Sequence, residues 1–402
     1  MFIQEIKPKI IRDSRGEKTI FIFLKTDKGN FECSAPAGKS TGSHEVVSYH
    51  KEGIKKSLEL LKEFCKTLYY KNFLIRIFDD LIQLDILIDK FEKNFGKMGG
   101  NVRYVLHGVF LKAIAKDNSK ELWQFIHDDI YGKNSLIKFP MPVGNCIGGG
   151  LHSKLINKKR PDFQEFLLIP YEESFAKAIT KNIRAYEYAK TILKSKYKND
   201  ESAWRTDKSN EEVLFVLMQL SQKYDLRIGL DIAAVSFFNE GYYNYKNKKL
   251  KRDRLDQIDY ISRLIKKYDL FYVEDPLDEE DFSGFKQILS SVQSRNTLIV
   301  GDDLTTTNVD RLKRALRSKS INSIIIKPNQ IGSLIEVKKV VKICKEKNIK
   351  MIFSHRSGET MDDILADYVI GFGGDFIKCG IFGKERLIKY KRIMDIEKSL
   401  KT

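Results

Sequence analysis

The sequence predicts an α/β barrel preceded by a smaller α+β N-terminal domain. Three observations predict it. Short β-rich runs alternate with longer helical stretches through the C-terminal part of the chain. The polar residues that end successive runs recur at intervals of 43, 28, 25, 28 and 23 residues, the span of one strand–helix unit. Residues 137–402 number 266, close to the ~250 typical of an eight-stranded barrel. The rhythm alone also suits a doubly wound sheet, and the length matches the barrel.

Residues 1–35 alternate apolar and polar, and Asp27-Lys28-Gly29 is a turn signal between two strand-like runs. From about Lys51 to Asp117 the period becomes helical. Val102, Val105, Leu106, Val109, Phe110, Ala113 and Ile114 share one face at i, i+3, i+4 spacing. Residues 1–130 therefore form the N-terminal unit and 137–402 the barrel, with the junction near Tyr131–Ser135. Six strand candidates follow: 228–233, 270–276, 298–303, 323–328, 351–355 and 376–380.

Apolar residues make up 42 % of the 402 and charged residues 31 %, which excludes a disordered, collagenous or disulfide-stapled chain. No apolar run reaches the ~20 residues of a membrane span. The N-terminus is charged from Glu5 onward, unlike a signal peptide. No membrane partner and a cytoplasmic location are the expectations. Five scattered cysteines without a CxxC pair point to reduced thiols rather than a zinc ribbon. The net charge of +17 is spread along the chain, as on a solvated basic surface. It comes without an RNP or zinc-finger signature, so no specific nucleic-acid partner is expected.

The six strand candidates each carry a polar group at or near their end: Asp231, Glu274, Asp302, Lys327, His355 and Lys378. In a barrel these ends converge on one mouth, where active sites sit. A lone Asp after a strand is ordinarily a helix N-cap. Six such groups in register are not explained by capping, because lysines do not cap N-termini. Asp231, Glu274 and Asp302 offer oxygen only, which suits a hard divalent cation such as Mg²⁺. Lys327 follows an apolar run and has cationic company, conditions that lower a lysine's pKa and fit it to act as a base. A base beside a metal is the equipment for removing a proton alpha to a carboxylate.

Motifs along nearly the whole chain carry a resemblance. DSRG (13–16), GKSTGSHE (38–45), GGGLH (148–152), QEF (164–166), LDIAA (230–234), VEDPLDEED (273–281), VGDDLTTTN (300–308), KPNQIGS (327–333), SHRSGET (354–360) and KERLIKY (384–390) resemble the signatures of enolase, phosphopyruvate hydratase, in family order. The enolase superfamily is the known case of a Lys or His base working with one or two Mg²⁺ ions. The resemblance implies an enolase-type barrel and reversible dehydration of 2-phosphoglycerate to phosphoenolpyruvate. It also implies a phosphorylated small-molecule substrate, two Mg²⁺ per active site and a homodimer or higher homo-oligomer. It assigns Asp231, Glu274 and Asp302 to the first Mg²⁺ and Ser40 to the second. Lys327 becomes the base at C2, and Glu201 the general acid at the C3 hydroxyl, helped by Glu165 and Gln164. Lys378 and His152 hold the carboxylate or leaving region. Arg356 and Ser357 grip phosphate, with His355 beside them. Neighbouring carboxylates such as Glu165 are expected to raise the pKa of Glu201.

Some positions depart from the family pattern. Ser202 and Ala203 stand where Gly-Gly is usual, Lys39 replaces a small residue, and Cys379 replaces Thr. Four extra residues separate His152 from Glu165. These changes keep a second reading open: an enolase-like paralogue with another substrate, or one with a polyanion-binding or structural role. GKST (38–41) imitates a phosphate-binding loop, but that loop needs a glycine at position 33, which is Cys33. His107 sits in the apolar helical pattern and reads as a packed core residue.

Overall fold

An antiparallel meander opens the chain: β1 (Ile3–Arg12), β2 (Lys18–Thr26) and β3 (Gly29–Ser34). Period-two alternation puts Ile20, Ile22 and Leu24 of β2 on one fully buried face. The β2–β3 turn is closed by Gly29 at φ +140°, a backbone state that disfavours other residues. Helices α1 (Ile54–Tyr69), α2 (Leu81–Phe95), α3 (Gly100–Asp117) and α4 (Leu122–Tyr131) follow. The predicted apolar face of α3 is buried, and the helix packs on β2 and β3. His107 within it is fully buried, 3.0 Å from Asp85. This computed structural model describes residues 2–39, 42–69 and 75–401.

The remaining strands are β4 (Met141–Gly148), β5 (Glu165–Pro170), β6 (Trp204–Arg205), β7 (Leu226–Asp231), β8 (Phe238–Asn239), β9 (Tyr242–Tyr245), β10 (Leu250–Arg252), β11 (Tyr272–Glu274), β12 (Leu298–Gly301), β13 (Ser323–Ile326), β14 (Lys350–Ser354) and β15 (Phe376–Gly380). Strands β4, β5, β7, β11, β12, β13, β14 and β15 pair in that order, and β15 pairs with β4 to close the ring. The predicted barrel is present, and all six strand candidates are strands. Two features differ from a simple parallel barrel. Its first two strands, β4 and β5, lay outside the six candidates, and β5 runs antiparallel to both neighbours.

Alternation along the strands divides the core into two compartments. Val143, Leu167, Ile169, Tyr272, Val300, Ile325 and Ile352 fill the barrel interior. Their neighbours Leu168, Ile299, Ile324, Ile326 and Phe353 face the surrounding helices. This accounts for the continuous apolar runs such as SIII, since both faces of each strand are buried. All five cysteines are buried and unpaired. Among the described residues, no helix is long and apolar enough to cross a membrane.

A part-buried ion pair ties the N-terminal unit to the barrel. Lys112 of α3 donates to Asp362 at 2.9 Å, and the Ser34 amide donates to the same carboxylate at 2.9 Å. Burial raises the Asp362 pKa, but Lys112 and the amide overcome it and hold it below the usual carboxylate range. A depressed folded-state pKa stabilises the fold above the unfolded value near 4, and this support is lost as pH falls below it. Asp362→Asn is therefore expected to cost about 2 kcal/mol at pH 7, since it leaves a part-buried ammonium with only the Glu32 carbonyl as a charge-free partner. In urea titrations the deficit against the parent chain should shrink as pH falls below the unfolded value near 4. A deficit unchanged across that range would show that charge plays no part.

Candidate active site

The barrel rhythm delivers the predicted groups to one mouth. Asp231 and Glu274 are the last residues of β7 and β11. Asp302, Lys327 and His355 immediately follow β12, β13 and β14. Lys378 lies inside β15, which continues two residues further, and it points to the same centre. The reversal of β5 brings its first residue, Glu165, to this end, in register with Gly148 of β4 and Asp231 of β7. His152 arrives on a glycine-rich turn. A Cβ on Gly149 would sit 2.3 Å from the Phe163 carbonyl oxygen, so only glycine allows that approach.

At the centre Lys378 is almost fully buried and touches three carboxylates. Its Nζ lies 2.8 Å from Asp231, 2.8 Å from Glu274 and 3.1 Å from Glu165. Lys327 pairs with Asp302, whose other oxygen accepts from Gln330 at 3.1 Å. Gln164 donates to Asp231 at 3.1 Å. Burial and the neighbouring Asp231 push the Glu274 pKa up to about 8. One Glu274 oxygen is buried without a hydrogen-bond partner. A surplus of buried carboxylate oxygens, one of them unbonded, fits a divalent cation.

One arrangement corrects a sequence expectation. The expected depression of the Lys327 pKa is not found. Burial works to lower it, but the Asp302 carboxylate outweighs burial, and the net shift is upward. Asp231, Glu274 and Asp302 lie at the same mouth, with Lys378 against the first two and Lys327 against the third. The groups of three potential ligand atoms within 4.8 Å of one another, among the described residues, are Asp275–Asp302–Asp303 and His152–Glu165–Glu201.

Glu165 and Glu201 face each other in a buried pair. Burial and the Glu201 charge raise the Glu165 pKa well above the ordinary range. Burial also raises Glu201, but His152 nearby reverses the sign and holds it well below that range. The His152 Nδ1 is 3.3 Å from Glu201, and Asn145 donates to the same carboxylate at 2.9 Å. The expectation of a raised Glu201 is thus inverted: the upward shift falls on Glu165. Burial keeps His355 well below its usual pKa, so this ring is neutral at pH 7.

The predicted phosphate side is built from the N-terminal unit and the β14 loop. Arg356 is buried and binds Glu45 with both terminal nitrogens, at 3.0 and 3.1 Å. Ser357 Oγ accepts from the Lys39 amide at 2.8 Å and from Arg15 at 3.3 Å. Ser40 lies outside the described residues. The Glu201 loop is fastened by Asn199, whose side-chain oxygen accepts from the Glu201 and Ala203 amides. Ser202 there adopts φ +65°, the left-handed state usual for glycine.

Sequence reasoning did not single out Glu45, Asn145, Asp275, Asp303 or Gln330. Adjacency offered a signal for two of them, since Asp275 follows Glu274 and Asp303 follows Asp302. Asp275 accepts the amides of Asp302 and Asp303 at 3.0 and 2.7 Å, which orients that turn. Glu45 and Asn145 reach the site from distant parts of the chain; Glu45 closes the GKSTGSHE motif, whereas no local pattern marks Asn145.

Comparison with known proteins agrees with this geometry. A family profile described as "Enolase, N-terminal domain" matches residues 3–126, and "Enolase, C-terminal TIM barrel domain" matches 136–402. The chain is 35 % identical to the enolase of Picrophilus torridus, over 98 % of this chain and 99 % of that one. It is 35 % identical to the Thermoplasma acidophilum enolase, with 99 % and 98 % covered. The Methanosphaera stadtmanae enolase is 33 % identical, with 99 % and 97 % covered. A closed barrel, a mouth ringed by the expected charges and full-length similarity lead to one assignment: the chain belongs to the enolase family.

Proposed function

We propose that this chain is a hydro-lyase that interconverts 2-phosphoglycerate and phosphoenolpyruvate with Mg²⁺. The observation that carries this reading is the buried mouth cluster, with Lys327 and the Glu165–Glu201 pair lining one cavity. Asp231, Glu274 and Asp302 would hold one Mg²⁺, and Ser40 would help hold a second. Bound Mg²⁺ would neutralise part of the carboxylate charge and stabilise the added negative charge on the substrate carboxylate.

The residues then divide the work. Lys327 takes the C2 proton as a neutral amine, once it has left Asp302 and given its own proton to solvent. The electron pair of that C–H bond becomes the C2–C3 double bond. The C3–O bond breaks, and the hydroxyl leaves as water with the proton held by Glu165 and Glu201. Two carboxylates sharing one proton keep an acid available at neutral pH inside a buried site. Lys378 and His152 stand against the substrate carboxylate and leaving region, with neutral His355 alongside. Arg356 and Ser357 take the phosphate, for which the planar guanidinium is suited. Phosphate then competes with Glu45 for the guanidinium.

Residues 1–130 act as a capping domain over the 137–402 barrel. The family resemblance further supports a cytoplasmic homodimer or larger homo-oligomer. The direct test follows the absorbance of phosphoenolpyruvate after mixing purified chain, 2-phosphoglycerate and Mg²⁺. Product should appear, stop on chelation and resume when Mg²⁺ is restored. No turnover, combined with salt-sensitive polyanion binding, would instead favour the paralogue reading.

A further inference from the structure

Lys39 has no role in the scheme above, yet it sits where two walls of the site meet. Its backbone amide donates to Ser357 Oγ at 2.8 Å, and Ala37, two residues earlier, exchanges backbone hydrogen bonds with Gly358. Its ammonium reaches across the mouth to Asp200, with Nζ 2.5 Å from the carboxylate. Asp200 immediately precedes Glu201. A second cation joins the same two loops. Arg386, only 1 % exposed, donates to the Ser357 carbonyl at 2.8 Å and the Asp200 carbonyl at 3.4 Å. The loop carrying Ser357 and the loop carrying Glu201 are thus clasped by Arg386 and by Lys39.

We propose that Lys39 is a positioning residue for Glu201. Its ion pair with Asp200 sets the acid's loop in register with the phosphate-side loop. The inference rests on the role given to Glu201 above. The ion pair is half-exposed, so its worth lies in alignment rather than stability. A small misplacement of a reacting group is enough to slow a chemical step.

The test separates the two halves of the reaction. In Lys39→Ala, dehydration kcat should fall about fivefold, the effect of an ion pair near 1 kcal/mol. The KM for 2-phosphoglycerate, the rate of C2 proton exchange with solvent and the thermal unfolding midpoint should all stay unchanged. Lys39→Arg should restore kcat, as should Lys39→Asp combined with Asp200→Lys. Three outcomes would overturn the proposal: equal loss in exchange and dehydration, a raised KM with unchanged kcat, or no change in any rate. Glu201→Gln keeps the two layers distinguishable. If that variant dehydrates normally, the Glu201 role fails and Lys39 falls with it. If it is inactive while Lys39→Ala is normal, only the Lys39 proposal fails.

Discussion

Lys327→Ala is expected to slow C2 proton exchange and phosphoenolpyruvate formation together by about 10²–10⁴-fold, the usual worth of a positioned base. The side chain sits at the end of β13 and contributes its charge rather than packing volume to the mouth. Removing it frees Asp302, which keeps its 3.0 Å backbone and 3.1 Å Gln330 contacts. The variant should therefore stay folded and still respond to Mg²⁺ in thermal unfolding. Lys327→Arg is the sharper control. It retains the positive charge beside Asp302, but a guanidinium does not deprotonate at working pH. If proton removal is the role, arginine fails as badly as alanine. If charge pairing is the role, arginine recovers most of the rate. A retained rate in both variants would end the base assignment.

The second large effect is expected from Lys378→Met. The substitution keeps an unbranched apolar side chain of similar length but removes the ammonium shared by Asp231, Glu274 and Glu165. Those carboxylates are 3, 0 and 2 % exposed, so no water replaces the lost partner. Breaking a buried ionic network by deleting one member costs about 3–5 kcal/mol. Urea denaturation without Mg²⁺ should show this loss directly. Addition of Mg²⁺ should return part of it, because a cation that binds the folded state alone stabilises it by mass action. The same experiment tests the metal site without reference to turnover. A variant as stable as the parent, or one indifferent to Mg²⁺, would mean that these carboxylates are neither crowded nor a cation site. Activity should be lost whether or not stability is recovered.

These two lysines also show what one-dimensional reasoning can reach. Both follow or lie within buried apolar runs, and strand periodicity places such residues at a barrel mouth without knowledge of any contact. Their charge states were not readable in the same way. The rule that burial lowers a lysine's pKa was applied to Lys327, but the ion pair with Asp302 carries the opposite sign and prevails. The same holds for Glu201. A neighbouring carboxylate alone would raise it, yet His152 lies close enough to win, and the upward shift falls on Glu165. The sign of each shift depends on close contacts between residues apart in the chain, Lys327 with Asp302 and Glu201 with His152 at 3.3 Å and His355 at 3.7 Å, which spacing does not encode.

By itself the sequence determined six of the eight barrel strands, the charges at or near their ends and that these belong to one mouth. These follow from local periodicity and from the cost of leaving charge at the end of an apolar run without purpose. Tertiary structure alone decided that β5 runs backwards and so delivers Glu165. It also decided that Glu45 occupies Arg356, that Lys378 rather than a carboxylate contact joins Asp231 to Glu274, and that Lys39 meets Asp200. Each depends on closing a ring of strands separated by tens to hundreds of residues. Ring closure sets which neighbours are near, and electrostatics in a buried site is governed by the nearest neighbour.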